Sequence, residues 1–358
     1  MREKAGNRTQ ARSAIFWGLG TFMLMQAGLA VWIDNRMPDL RDPLYENKAA
    51  RLRERVVDAP ARPLTVVMLG SSRTVFALKA SELEAPLEQT AGRPVVVFNF
   101  GVTGAGPVTS LMNQRRLLAE GVHPDLFLIE VLPPLLADHV VEADRLPADR
   151  LWRSDLELLA RYDVSKRNWN QDWWFVNAVP SYSHRFAIMS RVAPTYHSFR
   201  LRQDWFRECD GSGWIPSPAP MATTQWRVAA LENARREYAG GLANFHLGGP
   251  SCQALREQLE VCRQENIPAA LVLLPEGTDF RSWYKPADWK EIERFLTELS
   301  REFGAPLVNA REWIADEDFS DSHHLLASGA EKFTQRLGRE VLPALLADTL
   351  KTRGVASR

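Results

Sequence analysis

The chain is poor in cysteine: among 358 residues only Cys209, Cys252 and Cys262 occur. No Cys-x-x-Cys pair and no Cys/His cluster with zinc-ligand spacing is present, and no metal site or cofactor is predicted. One disulfide plus a free thiol, or three reduced buried thiols, both remain open. Cys252 and Cys262 fall ten residues apart on one predicted helix, which argues against pairing with each other. An excess of charge of either sign is also lacking, since 44 Lys and Arg balance 44 Asp and Glu. A neutral chain offers no basic footprint for nucleic acid, so no nucleic-acid partner is predicted. Repeats and low-complexity tracts are absent. What is left, 45% hydrophobic and 25% charged residues, is globular composition with length for one large domain or two modest ones.

One stretch has no charge at all. Ala14–Ile33 (AIFWGLGTFMLMQAGLAVWI) is twenty residues long, enough to span about 30 Å of hydrocarbon as a helix. Arg2, Lys4, Arg8 and Arg12 precede it against Glu3 alone. The flank after it is mixed, with Asp34, Arg36, Asp39, Arg41 and Asp42. The positive-inside rule then predicts residues 1–13 in the cytoplasm, an anchor at 14–33 in the cell membrane, and everything after it outside the cytoplasm. A cleavable signal peptide is the rival, because Gly28-Leu-Ala30 resembles a cleavage site. The apolar run continues past that site through Val31-Trp-Ile33, which favours an uncleaved span. Residues 34–62, with Pro38, Pro43, Pro60 and a charged helical segment at Glu46–Val57, read as a stalk. An edge helix of the domain is the alternative.

Residues 63–350 alternate between two periods, and 351–358 read as a tail. Strands are predicted at Leu64–Leu69, Pro94–Phe100, Asp125–Val131, Pro268–Leu274 and Pro306–Asn309. Helices are predicted near Lys79–Gln89, Val108–Glu120, Cys252–Glu265 and Trp289–Phe303. A last helix opens at Ser328, where Ser-Gly-Ala-Glu331 reads as a capping box. Short β-branched runs separated by helices predict an α/β fold, a doubly wound parallel sheet covered on both faces. Residues 139–247 break the rhythm. They hold seven of the twelve tryptophans: Trp152, Trp169, Trp173, Trp174, Trp205, Trp214 and Trp226. They read as a partly helical insertion folded over one edge of the sheet, either a hydrophobic mini-core or an aromatic face for sugar rings or a membrane surface.

Two short motifs carry chemistry. Gly70-Ser71-Ser72-Arg73 ends the first strand, and Asp321-Ser-His-His324 precedes the last helix. A serine hydroxyl needs an adjacent base to become a nucleophile, histidine titrates in the right range, and a carboxylate fixes the imidazole tautomer. Strand C-termini are where open α/β sheets place ligands. Taken singly, the motifs are a strand-to-loop turn and a capped polar loop; together they predict a Ser-His-Asp relay. His324 fits the spacing from Asp321 better than its neighbour His323, and Asp318 fits less well than Asp321. His123, His139, His184, His197 and His246 read as ordinary surface or core residues. Glu130 and Glu276 end strands and, with Arg73, are predicted near substrate, the alternative for the two carboxylates being a capped βα loop.

The order of these pieces resembles the SGNH/GDSL hydrolase superfamily, over about residues 64–136 and 250–345. The resemblance implies a three-layer, flavodoxin-like α/β domain with Ser72 as nucleophile and His324 and Asp321 as its base and orienter. It implies an oxyanion hole from the backbone of Ser72 and of Gly104, in Asn99-Phe-Gly-Val-Thr-Gly-Ala105, with Gly101 the less favoured glycine. That family's third block ends a strand with an asparagine that donates to the oxyanion. Here the strand ends Ile129-Glu-Val-Leu-Pro-Pro134 and the asparagine is missing. Arg73 is a possible replacement donor. The layout of one N-terminal anchor plus such a domain is similar to proteins that assist membrane-bound O-acyltransferases. This implies an esterase or O-acyltransferase acting on an acylated envelope glycan or lipid, with a membrane-bound O-acyltransferase as a possible partner. A non-catalytic scaffold binding an envelope polymer or such a partner is the alternative.

Overall fold

Uninterrupted apolar runs need cover on both sides, and the observed sheet supplies it. A computed structural model describes residues 3–140, 146–163, 166–197, 209–217 and 224–347. The strands are β1 Leu64–Gly70, β2 Val95–Gly101, β3 Leu126–Val131, β4 Ala269–Leu273 and β5 Leu307–Asn309. Among the described residues they form one parallel sheet in the order β2-β1-β3-β4-β5. The helices are α1 Glu3–Arg36, α2 Pro43–Asp58, α3 Ser72–Ala77, α4 Ser81–Ala91, α5 Pro107–Ala119, α6 Asp155–Tyr162 and α7 Trp169–Ala178. They continue with α8 Pro180–Ser183, α9 Arg185–Val192, α10 Thr224–Ala243, α11 Gly249–Gln264, α12 Thr278–Ser282, α13 Pro286–Phe303 and α14 Ala327–Glu340.

The chain divides into two compact units. One comprises Met1–Glu46, Leu146–Ala160 and Lys166–Arg207; the other comprises Asn47–Arg145, Arg161–Ser165 and Glu208–Arg358. The sheet belongs to the second. There Val66, Met68, Val97 and Leu128 pack with Leu83 and Leu87 of α4 and Phe333 and Leu337 of α14. Alternate residues of a strand point to opposite faces. Val67, Leu69, Phe98 and Ile129 are buried as fully as their neighbours, so the other face is covered too. The C-termini of β2, β1, β3 and β4 are level: Gly70 pairs with Gly101, Leu69 with Ile129 and Val131 with Leu273.

In the first unit α1 is a single helix containing the apolar run, and residues 10–36 are long and apolar enough to cross a membrane. Its buried positions Gln26 and Ile33, with half-buried Leu29 and Ala30, recur at helical spacing and mark one packed face. Ile33, Leu40 and Ala187 form a small core with Leu29, Met37 and Ile188. Arg41 holds the next turn: its guanidinium donates to Asp34 at 2.6 and 2.8 Å and to Asn177 Oδ1 at 2.7 Å.

Three expectations are corrected. The predicted stalk is packed rather than free, because α2 buries Tyr45, Lys48, Ala49 and Leu52 on one face. The last helix starts at Ala327 without a side-chain cap, since the Ser328 hydroxyl donates instead to Asp318 at 2.6 Å. The tryptophan-rich insertion is not one body: residues 146–160 and 166–207 fall in the first unit, and 208–247 in the second. Trp205 lies outside the described residues. All three cysteines are free and buried, Cys252 and Cys262 both on α11.

Lys48 is the costliest residue of α2. Its ammonium donates to the Asn99 carbonyl at 2.9 Å. Burial, partly opposed by Cys209 and Asp210, pushes its pKa from 10.5 down to about 7. A group whose folded pKa is depressed in this way binds fewer protons when folded than when unfolded between pH 7 and 10.5. Its contribution therefore makes stability rise with pH across that window. The effect is on the order of 5 kcal/mol at most. Lys48→Met should flatten the rise relative to wild type in denaturant titrations of the full chain at pH 7, 8.5 and 10.

Candidate active site

The strand-to-helix turn after β1 is built by one carboxylate. Glu130, on neighbouring β3, accepts from the Ser71 N–H at 2.6 Å, the Ser71 hydroxyl at 2.9 Å and the Thr74 hydroxyl at 2.7 Å. Ser71 is the N-cap of α3, its Oγ accepting from the Arg73 N–H at 3.1 Å. Ser71 is thus buried and engaged, and Ser72 becomes the first residue of the helix, half-exposed. Gly70 and Gly101 permit the close approach. A Cβ at Gly70 would stand 2.2 Å from Glu130 Oε2, and one at Gly101 2.6 Å from the Val75 nitrogen.

Ser72 Oγ lies 2.8 Å from Nε2 of His324, and Nδ1 of His324 lies 2.7 Å from Oδ2 of Asp321. The other Asp321 oxygen accepts from the His324 N–H at 2.8 Å. This assigns the proton to Nδ1 and leaves the Nε2 lone pair facing the serine hydroxyl. The loop is held from two sides. Ser322 has a left-handed backbone, φ 69°, and its Oγ accepts from the Phe280 N–H at 3.1 Å while its carbonyl accepts from the Gly277 N–H at 2.8 Å. The Phe76 ring stands edge-on to His324 at 5.4 Å. Burial would raise the Asp321 pKa, but the charges and hydrogen bonds of His324 and His323 outweigh it and hold the carboxyl well below its usual range. Asp321 is therefore held as the carboxylate.

The neighbouring residues are not interchangeable with these. His323 is stacked on Phe280 at 5.3 Å and edge-on to Tyr238 at 5.1 Å, with Nε2 buried and unpartnered among the described residues. Burial, and then the charge of His324, push its pKa down to about 4. Asp318 is occupied by Ser328 and by Lys332, each at 2.6 Å. Asp321, His323 and His324 offer ligand atoms within 4.8 Å of one another, the one group among the described residues with metal-like spacing. Hydrogen bonds to the protein already engage both Asp321 oxygens and both His324 ring nitrogens, so the set is arranged for proton relay.

The residues expected at the substrate are turned to the scaffold. Glu130 organises the Ser71 turn. Arg73 is 1% exposed and donates to the Leu274 and Pro275 carbonyls at 3.0 Å, with Glu276 at 3.6 Å. Glu276 is fully buried, accepting from Arg311 Nε at 2.6 Å and the Tyr284 hydroxyl at 3.1 Å. Arg73 therefore does not replace the missing oxyanion donor. Leu132, at the position expected of the asparagine, is buried and followed by Pro133 and Pro134, which have no N–H. Gly104 lies in an exposed turn with φ 76°, and a Cβ there would meet nothing within 4 Å.

Asn99 was not singled out in the sequence. Fully buried, it donates to the carbonyls of Thr74, Val75 and Leu78 at 2.7, 3.2 and 2.9 Å, and its Oδ1 accepts from the Gly101 N–H at 3.0 Å. It ties the end of α3 to the end of β2, joining the helix of Ser72 to the strand that leads to Gly104. Part of the insertion backs this region: the Trp214 indole N–H donates to the Phe76 carbonyl at 3.0 Å, and Tyr238 of α10 packs on His323. A polar residue in an apolar strand was the available signal for Asn99. For Lys48 it was the shared helix face with Tyr45, Ala49 and Leu52.

Comparison with known proteins gives limited matches. A protein-family model matches residues 243–346, less than half of the chain. No curated protein matches. Among solved structures, the chain is similar to AlinE4, an SGNH-hydrolase family esterase, at 13% identity over 69% of this chain and 76% of that one, with a TM-score of 0.31. It is similar to Est24, a carbohydrate acetylesterase from Sinorhizobium meliloti, at 12% identity over 77% and 97%, TM-score 0.35. An inhibitor-bound aryl esterase from M. smegmatis matches at 12% over 77% and 97%, TM-score 0.33. Values this low carry no weight for substrate or activity, and the geometry of the site stands by itself.

Two outcomes follow from the buried polar groups. Asn99→Ala removes a donor from three carbonyls, of which Thr74 and Val75 keep backbone donors, and the side-chain acceptor of the Gly101 N–H, and should destabilise the chain by about 1–3 kcal/mol in denaturant titrations. His323, with its folded pKa below the ordinary 6.5, binds fewer protons folded than unfolded between pH 4 and 6.5. Its contribution makes stability fall as pH drops through that window. His323→Phe should reduce that acid loss, read as a smaller shift of the unfolding midpoint between pH 6.5 and 4.5.

Proposed function

We propose that the chain is an SGNH-type serine esterase or O-acyltransferase held at a membrane by α1. The observation that carries this reading is the continuous Ser72–His324–Asp321 hydrogen-bond chain, 2.8 and 2.7 Å at its two links. In the reaction, Ser72 Oγ attacks the carbonyl carbon of an ester and its proton passes to His324 Nε2. The tetrahedral intermediate collapses as His324 returns that proton to the leaving alcohol, giving an acyl-serine. Water, or the hydroxyl of an acceptor, then repeats the sequence with His324 as base and releases Ser72. Asp321 keeps the imidazole proton on Nδ1 throughout. The backbone N–H groups of Ser72 and Gly104 are the proposed oxyanion donors.

The anchor reading rests on the length and composition of α1 and on the basic flank before it. It places the site outside the cytoplasm, where acylated envelope glycans or lipids are the proposed substrates and a membrane-bound O-acyltransferase the proposed partner. One observation favours a second reading. With Leu132, Pro133 and Pro134 where a side-chain oxyanion donor is expected, the site has one donor fewer, a loss worth about 3–4 kcal/mol in a protease. That shortfall suits transfer from an activated donor, or a scaffold that binds acylated polymer without turning it over.

A fluorophosphonate probe and p-nitrophenyl acetate test the enzyme. Ser72→Ala and His324→Ala should each abolish labelling and hydrolysis, and Asp321→Ala should reduce them less. Ser71→Ala should still label, at a cost of about 2–4 kcal/mol in stability from the lost cap and the lost hydroxyl bond to buried Glu130. Leu132→Asn should raise the rate if the vacant donor limits it. A wild-type chain that neither labels nor turns over any ester supports the scaffold. Labelling that survives Ser72→Ala and disappears in Ser71→Ala overturns the choice of serine.

A further inference from the structure

The first unit has an exposed aromatic face that the chemistry does not use. On α7, Trp174 and Phe175 are 60% and 68% exposed; beyond them Tyr182 is 65% and Tyr196 83% exposed. Met189 and Val192 of α9 add apolar surface. Isolated exposed apolar residues are ordinary, but a group of large ones on adjoining helices marks a contact surface.

The attachment of these helices to α1 says what covers the surface. The Ser181 N–H, in α8, donates to the Gln26 side chain at 3.2 Å. Ala187 and Ile188 of α9 pack on Ile33, Leu29 and Met37. Gln26 lies seven residues before the end of the apolar run, about 10 Å along the helix. On the same turns of α1, Val31 and Trp32 remain exposed, and so do Met23, Leu24 and Met25 just before them. A bilayer that receives those side chains necessarily reaches the level at which α8 and α9 are docked. Interfacial helices sink about 5–10 Å into the headgroup and acyl boundary, which matches this depth. The polar boundary follows at the right place. Asp34, Arg41 and Asn177 form their hydrogen-bonded cluster one turn beyond Ile33, and Arg191 pairs with Asp39 at 2.9 Å. Arg185 lies over the Tyr182 ring at 3.9 Å, an aromatic and cationic pairing suited to the headgroup layer. The backbone of this segment is largely helical, so most of its polar groups are satisfied internally, as immersion requires.

We infer that the exposed faces of α7, α8 and α9 are a second membrane-contacting surface, inserted into the lipid interface beside the α1 span. The inference rests on the proposed span. Together the two would fix the tilt and rotation of the first unit against the bilayer, which a single helix leaves free.

The test uses the full chain in vesicles of phosphatidylcholine and phosphatidylglycerol at a fixed ratio. The photocrosslinker p-benzoylphenylalanine is placed in turn at Phe16 in the span, at Phe175 and Tyr196 on the proposed surface, and at Val57 on α2 as control. All four side chains are exposed, and circular dichroism checks that each variant keeps the fold. The expected result is lipid adducts, read by mass spectrometry, from Phe16, Phe175 and Tyr196, and none above background from Val57. Adducts at Phe16 with only control-level adducts at Phe175 and Tyr196 overturn the surface and leave the anchor standing. Crosslinks from Phe175 or Tyr196 to protein instead of lipid overturn it as well, in favour of a protein partner or a second copy. No lipid adduct at Phe16 overturns the span, and the inference falls with it.

Discussion

Glu130 is the group around which the site is assembled. A carboxylate in a buried setting is tolerable only when donors surround it, and three converge on this one: an N–H and two hydroxyls from the four-residue stretch Ser71–Thr74. That convergence decides the conformation of the chain between β1 and α3 and puts Ser72, rather than Ser71, at the open side. The two glycines at the level ends of β1 and β2 are the steric counterpart. With any side chain at Gly70 or Gly101, the carboxylate and the α3 backbone would be displaced. Asn99 then fixes the far end of the same short helix. Ser72, the proposed nucleophile, thus sits on a six-residue helix held at one end by Glu130 and at the other by Asn99, from the two strands that flank β1.

The clamp also clarifies what the departure at Leu132 means. Nothing in the β1–α3 turn is degraded to match the missing donor. The serine, imidazole and carboxylate keep hydrogen-bonding distances throughout, and the Asp321 loop is braced by Gly277 and Phe280. For the proposed enzyme, a relay kept in register beside a reduced oxyanion site suits an acyl group whose leaving group is already good.

The parts of this structure that follow from local chemistry were readable in the sequence. Strands built of Val, Leu, Ile and Phe declared themselves, and their ends were placed within about a residue because Gly70 and Gly101 stop them. The spacing of Asp321 and His324 was readable because the pair is local: the carboxylate caps the very N–H of the histidine it orients. What was not readable depends on partners far away in the chain. Glu130 and Glu276 were read at strand ends, near substrate or as part of a capped βα loop, and with Arg73 they are held by buried scaffold partners. Sequence position gives the edge of the sheet but not whether a buried counter-ion has already claimed the side chain. Lys48 and Asn99 meet across about fifty residues. The Ser328 cap failed for the same reason, with Asp318 taking the hydroxyl from ten residues back. The stretch read as a partly helical insertion is shared between two units because tryptophan count records hydrophobic bulk and not the surface it packs on.

His324 and Asp321 reside on one loop, while Ser72 arrives from the opposite end of the sequence. Two of the three residues are therefore a local pair whose mutual geometry is set within a four-residue segment braced by Gly277 and Phe280. The remaining joint depends on how α3 meets the helix that follows the loop. Thr334 of α14 bridges that meeting, accepting from the Lys79 N–H at 3.0 Å and donating to the Ala77 carbonyl at 3.3 Å. A change at Thr334 would therefore act on the approach of Ser72 to His324 without touching any of the three residues.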